Sequence, residues 1–181
     1  MSEAETSKPR GMYYEDFEIG KTIVTSRRTV TSTDIVNFAC LSGDHNAPHI
    51  DHEFCKTQPY GEPIAHGPLV LAIAGGLQCL SGINDGTIVA MLGNDQWRMH
   101  LPVKHGDTLH VVITPTEKKL TSKGNQGTVV FDRKIKNQRG ETVHSMVTTL
   151  MYRCRPEAAG RSPEKRPGHS RGPVFLISVL H

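Results

Sequence analysis

Residues 65–83 read AHGPLVLAIAGGLQCLSGI, the most apolar stretch of the chain. Pro68 fits the first turn of a helix, where its missing N–H breaks no hydrogen bond. Residues 69–74 are apolar on nearly every face, which is typical of a helix that is buried on all sides. Gly75 and Gly76 each destabilise a helix interior by about 1 kcal/mol relative to alanine. Their presence indicates that another backbone or a ligand approaches this helix closely.

The chain downstream of this helix has the pattern of a β-sheet. Runs rich in β-branched and apolar residues predict strands at residues 87–92, 96–103, 107–118, 127–135 and 141–152. Turn-like breaks between them fall at residues 94–95, 104–106, 122–126 and 137–140. Connections this short imply antiparallel strands, because a parallel crossover needs about a dozen residues. One apolar helix and a long antiparallel sheet predict an α+β fold in which the sheet curls around the helix.

Upstream of the helix, the pattern is less regular. Residues 21–30 have the β-branched content of a strand. Thr31 begins a group of N-cap candidates, and the apolar stripe that follows predicts a helix of about ten residues that ends at Gly43. Residues 44–63 show little periodicity and are predicted to form a loop.

The charge of the chain is concentrated at one end. The 181 residues carry a formal net charge of +3, from 21 Lys and Arg against 18 Asp and Glu. Residues 1–154 contain 16 basic and 16 acidic side chains, so the whole excess lies in residues 155–181. Without surplus positive charge in its main part, the chain is not expected to bind nucleic acid.

Features that direct a protein to a membrane or out of the cell are missing from the sequence. No run reaches the roughly 18 apolar residues of a spanning helix, and the first dozen residues do not resemble a secretory signal. The four cysteines are widely spaced, which is typical of free thiols in a reducing compartment. We therefore expect a soluble, cytoplasmic protein with no membrane partner.

The polar segment SGDHNAPHID, residues 42–51, carries the first candidate chemistry. It places Asp44 and His49 five residues apart, with Asn46 between them. A carboxylate and an imidazole on one side of a loop can share a water molecule as a general acid–base pair. Asn46 can satisfy the remaining hydrogen-bonding positions and fix the orientation of the pair.

The second candidate is the sequence IAHGP, residues 64–68, at the start of the apolar helix. Free backbone N–H groups at a helix N-terminus, with the helix dipole behind them, can stabilise a developing enolate oxyanion. Gly67 allows a substrate to approach the backbone closely. Each segment alone is weak evidence for a catalytic site, and the presence of both in one chain is much stronger evidence.

Together, the two segments resemble the MaoC-like dehydratases, also called (R)-specific enoyl-CoA hydratases, which have the hotdog fold. The family motif reads roughly Gly-Asp-x-Asn-Pro-aliphatic-His, followed downstream by His-Gly. This chain has GDHNAPH at residues 43–49 and AHG at residues 65–67. The similarity continues through YEDFEIG, WRMHLPVKHGD and the hairpin at residues 137–141, and it covers residues 12–154.

The chain departs from the family pattern at two places. Ala47 stands where proline is usual and Pro48 where an aliphatic residue is usual, although the spacing from Asp44 to His49 is kept. Some members have a serine eight residues after the His-Gly glycine, near the catalytic aspartate, and here that position is Gly75. The missing hydroxyl puts the substrate preference in question.

The resemblance implies the reversible hydration of a trans-2-enoyl-CoA to an (R)-3-hydroxyacyl-CoA. Asp44 and His49 would activate the water, Asn46 would orient them, and the N–H of Gly67 would polarise the thioester carbonyl. The predicted substrate-binding residues are His66, Ala65, Gly43 and Gly75. No metal or organic cofactor is expected, since coenzyme A is part of the substrate. The length, branching and carboxylation of the acyl group stay open.

The polar composition of residues 1–11 and the Pro-, Gly-, Ser- and Arg-rich composition of residues 155–181 predict two ends outside the folded domain, while the resemblance predicts the domain and its partners. We expect a flexible leader at residues 1–11, a single hotdog domain at 12–154 and a basic, poorly ordered tail at 155–181. Hotdog domains pair, so a homodimer or a dimer of dimers is expected, with the acyl-CoA lying between subunits. Two other functions stay open: an acyl-CoA thioesterase of the same fold, and a non-catalytic acyl-CoA-binding subunit.

Several histidines near the motif raise the alternative of a zinc site. His45 and His49 have the i,i+4 spacing that binds zinc when it lies on a helix. Pro48 lies between them and makes a continuous helix unfavourable. Together with His52 and His66 they are therefore interpreted as unrelated to zinc.

Overall fold

The computed structural model describes residues 11–156. Of the predicted leader, residues 1–11, it describes only Gly11, and of the predicted tail, residues 155–181, only Arg155 and Pro156. The expected flexibility of both ends therefore concerns residues outside the described part of the chain.

Six antiparallel strands form one sheet. They are β1 Ile23–Val24, β2 Arg28–Thr29, β3 Ile88–Met99, β4 Thr108–Leu120, β5 Gln126–Lys136 and β6 Thr142–Arg153. The order across the sheet is β1-β4-β5-β6-β3, and β2 also pairs with β4. The last three strands in the chain form the predicted meander, with the turns between them where the sequence places them.

The helices are α1 Ser32–Ser42, α2 Ala47–Ile50, α3 His52–Lys56 and α4 Gly67–Leu80, and a 3-10 turn at Tyr14–Asp16 precedes them. α1 agrees with the prediction at both ends. The hydroxyl of Thr31 accepts from the N–H of Asp34, whose carboxylate accepts in return from the N–H of Thr31. None of the helices within residues 11–156 is long and apolar enough to cross a bilayer.

One face of α4 packs against the sheet and forms the core. The buried apolar side chains of the helix are Leu69, Val70, Ile73, Ala74 and Leu77. They share one cluster with inward-facing residues of the strands, such as Ile113, Phe131 and Leu150. Burial alternates along β5 and β6, so these residues lie on the helix side of the sheet. Each fully buried side chain of this kind contributes about 1.5–3 kcal/mol.

The expectation that α4 is buried on all sides is wrong for the described chain. Ala72 and Gly76 are exposed, and Leu80 is 76% exposed. The reason is that the sheet covers only one face of the helix. Outside the helix itself, no atom lies within 4 Å of a Cβ added at Gly75 or Gly76. The close neighbour that these glycines indicate is therefore not within residues 11–156.

Two predictions of local structure are also wrong. The break expected at residues 94–95 is absent, because β3 continues through it and absorbs the irregularity in bulges, with Gln96 at a φ of 51°. The loop expected at residues 44–63 contains α2 and α3. Pro48 lies in the first turn of α2, where proline is tolerated, and the side chain of Asp51 caps α3.

Candidate active site

The turn after α1 delivers Asp44 to the site. Gly43 ends the helix in the left-handed region, with a φ of 78°, and its N–H donates to the carbonyl of Ala39. A side chain is strained in this conformation, so the glycine serves the turn. The predicted contact of Gly43 with substrate stays a prediction.

Asn46 holds the carboxylate of Asp44. Its side-chain amide donates to Asp44 Oδ1 over 2.6 Å, and its backbone N–H donates to the same atom over 3.3 Å. The backbone N–H and the side-chain amide of Asn46, with the imidazoles of His49 and His66 nearby, lower the pKa of the Asp44 carboxyl. Asp44 is therefore a carboxylate at neutral pH, in the orientation that Asn46 imposes.

The ring of His49 is oriented by a backbone carbonyl. Its Nδ1 lies 2.7 Å from the oxygen of Ile64. Since a carbonyl only accepts, Nδ1 carries a proton, and in the neutral tautomer Nε2 keeps a lone pair. Nε2 faces Asp44 Oδ2 at 3.9 Å. Two hydrogen-bond acceptors thus face each other across a gap that is too wide for direct bonding.

His66 links the Asp44 turn to the start of α4. Its Nε2–H donates to the backbone carbonyl of Asp44 over 2.9 Å. Its ring stacks on that of His49, with centroids 3.7 Å apart and planes 24° from parallel. At 2% exposure the side chain is enclosed, and its Nδ1 has no partner among the described residues. This position supports the geometry of Asp44 and His49, while its predicted contact with substrate stays a prediction.

Gly67 is the first residue of α4 and offers a free backbone N–H. The first N–H groups of a helix have no intrahelical acceptor, and none for Gly67 is found within residues 11–156. A Cβ added there would lie 2.5 Å from Met99 Sδ and 3.5 Å from the ring of Trp97. A side chain at this position would therefore displace the Met99 thioether, whereas the Trp97 ring is at an ordinary van der Waals distance. Gly67 thus adds no side chain of its own at the positive end of α4.

A cavity of about 520 Å³ lies beside these groups. Its lining includes His49, Ala65, Gly67, Met99 and His144. The structure thus brings most of the predicted site residues together. Gly75 is the exception, because it lies about 12 Å farther along the axis of α4 from Gly67.

Asp44, His49 and His66 place potential metal ligands within 4.8 Å of one another. The stacked imidazoles oppose their joint use, since lone pairs that lie in nearly parallel ring planes do not converge on one ion. Each ring also donates one N–H to a carbonyl. His45 and His52 are exposed and lie outside this cluster. The expectation that the protein needs no metal stays a prediction.

His144 is a residue of the cavity that the sequence analysis does not single out. It lies on β6, and its pairing with Met99 places it next to β3. Trp97 Nε1–H donates to His144 Nδ1 over 3.4 Å. Burial, with the nearby His100, lowers the pKa of His144 to about 4. The sequence pattern that could have identified His144 is the alternation along β6. Even-numbered residues of this strand, such as Met146, face the core, and His144 is one of them.

Comparison with known proteins gives the family. The model of the MaoC like domain matches residues 16–136, which include all of the predicted site residues. The chain is 40% identical over 106 residues to Protein MaoC of Klebsiella aerogenes, covering 59% of this chain and 31% of that protein. It is 32% identical over 108 residues to a 3-hydroxybutyryl-CoA dehydratase of Methylorubrum extorquens, covering 60% and 66%. It is 31% identical over 104 residues to an (R)-specific enoyl-CoA hydratase of Rhodospirillum rubrum, covering 58% and 69%. The matched segments thus span about a third of the first relative and just under two thirds of the second.

Solved structures agree with this assignment. A MaoC-like dehydratase from Rhodospirillum rubrum superimposes with a TM-score of 0.73 at 27% identity, covering 81% of this chain and 99% of that one. A Mycobacterium tuberculosis protein with a double hotdog fold superimposes with a TM-score of 0.71 at 20% identity, covering 89% and 48%, and it supports the fold alone. The chain therefore belongs to the MaoC-like domain family, and its antiparallel sheet and long helix form a hotdog fold.

Proposed function

We propose that this protein is a hydro-lyase that reversibly adds water to a trans-2-enoyl-CoA and yields an (R)-3-hydroxyacyl-CoA. The observation that carries the proposal is the facing pair of Asp44 Oδ2 and His49 Nε2, 3.9 Å apart, in a site that also holds the free N–H of Gly67. The activities in the names of the dehydratase and hydratase relatives support this substrate class.

The pair is suited to holding one water molecule. A carboxylate oxygen and an unprotonated imidazole nitrogen are both acceptors, and a water has two O–H groups to donate. A water between them bonds to both, so its oxygen lone pairs point away from the pair and toward the substrate. Asn46 and the carbonyl of Ile64 keep the two acceptors in this orientation. The arrangement supports a role for the pair in general acid–base catalysis.

The proposed hydration is a single balanced addition. The water oxygen bonds to C3 while the electrons of the C2–C3 double bond move toward the thioester carbonyl, which becomes an enolate oxygen. The N–H of Gly67, at the positive end of α4, stabilises that oxygen. One water proton passes to the Asp44–His49 pair, which delivers a proton to C2 on the same face, a syn addition. No metal or organic cofactor enters this scheme.

Incubation with crotonyl-CoA tests the proposal. We expect loss of the enoyl absorbance, formation of the (R)-3-hydroxy product on chiral analysis, and no free thiol. Release of the CoA thiol would instead identify a thioesterase. Binding of the acyl-CoA without turnover would identify a non-catalytic subunit. A panel of straight, branched and carboxylated enoyl-CoA esters then defines the acyl group.

We further propose that the protein is a homodimer or a dimer of dimers, with the acyl-CoA near the protomer boundary. β3 ends the sheet, and Val89, Met91 and Met99 on it are exposed, Met91 by 61%. A long apolar edge strand favours association and is usually covered. Sedimentation is expected to give at least twice the 19.9 kDa of one chain. Met91→Lys is expected to weaken the association of the protomers. A monomeric wild-type protein would contradict the proposed dimer.

A further inference from the structure

His144 faces the candidate active site from the sheet. Along β6 it has the same parity as Met146 and Leu150, which belong to the core beneath α4. Its side chain is 3% exposed, and the ring borders the same cavity as Gly67 and His49. The imidazole is therefore a buried polar group at the catalytic cavity, and the proposed acid–base pair does not use it.

The hydrogen bond from Trp97 determines which nitrogen of His144 carries the proton. An indole N–H only donates, so Nδ1 of His144 accepts and the ring proton lies on Nε2. Nε2 has no acceptor within residues 11–156, and it is not among the fully enclosed, unpartnered polar atoms of that part of the chain. Since burial and His100 lower the pKa of His144 to about 4, the ring stays neutral near neutral pH. It thus offers one N–H donor and no charge.

Trp97 also connects His144 to the N-terminus of α4. While its Nε1 bonds to His144, another atom of the same ring lies 3.5 Å from the position of a Cβ at Gly67. Nε1 and that atom, Cζ2, are both bonded to Cε2 of the indole, so the donor on the sheet and the start of the helix lie against one edge of the Trp97 ring. A carbonyl oxygen that reaches the N–H of Gly67 enters the region that His144 borders.

We propose that the Nε2–H of His144 is a second hydrogen-bond donor to the thioester carbonyl oxygen and acts together with the backbone N–H of Gly67. The inference rests on the proposed hydratase function. A neutral imidazole donor suits an enolate oxygen because it hydrogen-bonds to the developing charge without transferring its proton to the oxygen. Trp97 is then a positioning residue, which acts by fixing the tautomer of His144.

Two substitutions at His144 separate hydrogen bonding from packing. His144→Leu fills a similar volume without a donor, and His144→Gln restores an N–H. With crotonyl-CoA we expect His144→Leu to lower kcat about 10²-fold, the effect of losing one oxyanion donor, with KM nearly unchanged. We expect His144→Gln to recover part of that loss. Equal losses in the two variants, or wild-type kcat in His144→Leu, would overturn the inference.

The tautomer gives a readout that does not depend on turnover. Nitrogen-15 NMR of the imidazole is expected to show His144 protonated on Nε2 in the wild type and a mixture of tautomers in Trp97→Phe. A wild-type ring protonated on Nδ1 would overturn the inference even if both variants failed to fold. A wild type that hydrates crotonyl-CoA while His144→Leu is unimpaired rejects this inference alone. A wild type without hydratase activity rejects the proposed function as well.

Discussion

The sheet and the segment between α1 and α4 are held in place by different forces. On β5, Val129, Phe131 and Ile135 are each 0% exposed and pack into the apolar core. In the segment, two imidazoles bond to backbone carbonyls, His49 to Ile64 and His66 to Asp44. Burial of apolar area therefore determines stability, while a few directional hydrogen bonds determine the geometry of the candidate site. The two should therefore respond separately to mutation.

Phe131→Ala is the strongest way to disturb the sheet alone. The ring contacts Phe17, with centroids 5.3 Å apart, and Tyr152. Its removal is expected to lower the free energy of unfolding by about 3–5 kcal/mol, because a core cavity replaces the ring. Urea denaturation measures the change, and Val130→Ala on the opposite face is the matched control. Molecules that remain folded should keep the wild-type kcat. A proportional loss of kcat would show that the two regions are coupled.

Low pH is expected to lower the free energy of unfolding because of the buried His144. Its folded pKa of about 4 lies below its ordinary value of 6.5. As pH falls from about 6.5 to about 4, the unfolded chain binds a proton that the folded chain excludes, so stability falls with pH by up to about 3 kcal/mol. Unfolding in urea at about pH 7 and about pH 4.5 measures this, and His144→Gln should lose part of the dependence. An identical pH dependence in the variant would contradict the assignment.

Arg133 is a polar group that runs against the apolar pattern of the sheet. It is 3% exposed, and its Nη1 donates to Thr148 over 3.3 Å. Its Nε and Nη2 are enclosed without a partner among the described residues, and burial lowers its pKa. Replacing an enclosed charge by an apolar side chain is often neutral or stabilising by about 1–4 kcal/mol. Arg133→Met is therefore expected to raise the thermal midpoint. A lower midpoint would contradict this expectation.

The features that follow local rules could be predicted from the sequence. Thr31 and Gly43 bound α1 because capping and the left-handed turn depend on neighbouring residues. The spacing of Asp44, Asn46 and His49 could likewise be read directly, because a short polar segment keeps these side chains near one another.

The features that depend on distant pairing could not be predicted. The bond between Trp97 and His144 joins residues 47 positions apart, and no local pattern specifies it. The continuity of β3 through residues 94–95 depends on pairing with β6, which overrides the turn preference of Asn and Asp. The exposed face of α4 could not be predicted either, because apolar content alone does not specify which side of a helix the sheet covers.

A double-mutant cycle on Asp44 and His49 determines whether these two residues act as one unit on one water molecule. Asp44→Asn and His49→Asn are each expected to lower kcat for crotonyl-CoA by about 10²–10⁴-fold, with thermal midpoints close to the wild type. Asp132→Asn, on β5 and paired with Lys134, is the matched control. If the residues act as a unit, the double variant will be about as slow as the slower single variant. Losses that multiply, or a single variant with wild-type kcat, would show that Asp44 and His49 do not act as a unit.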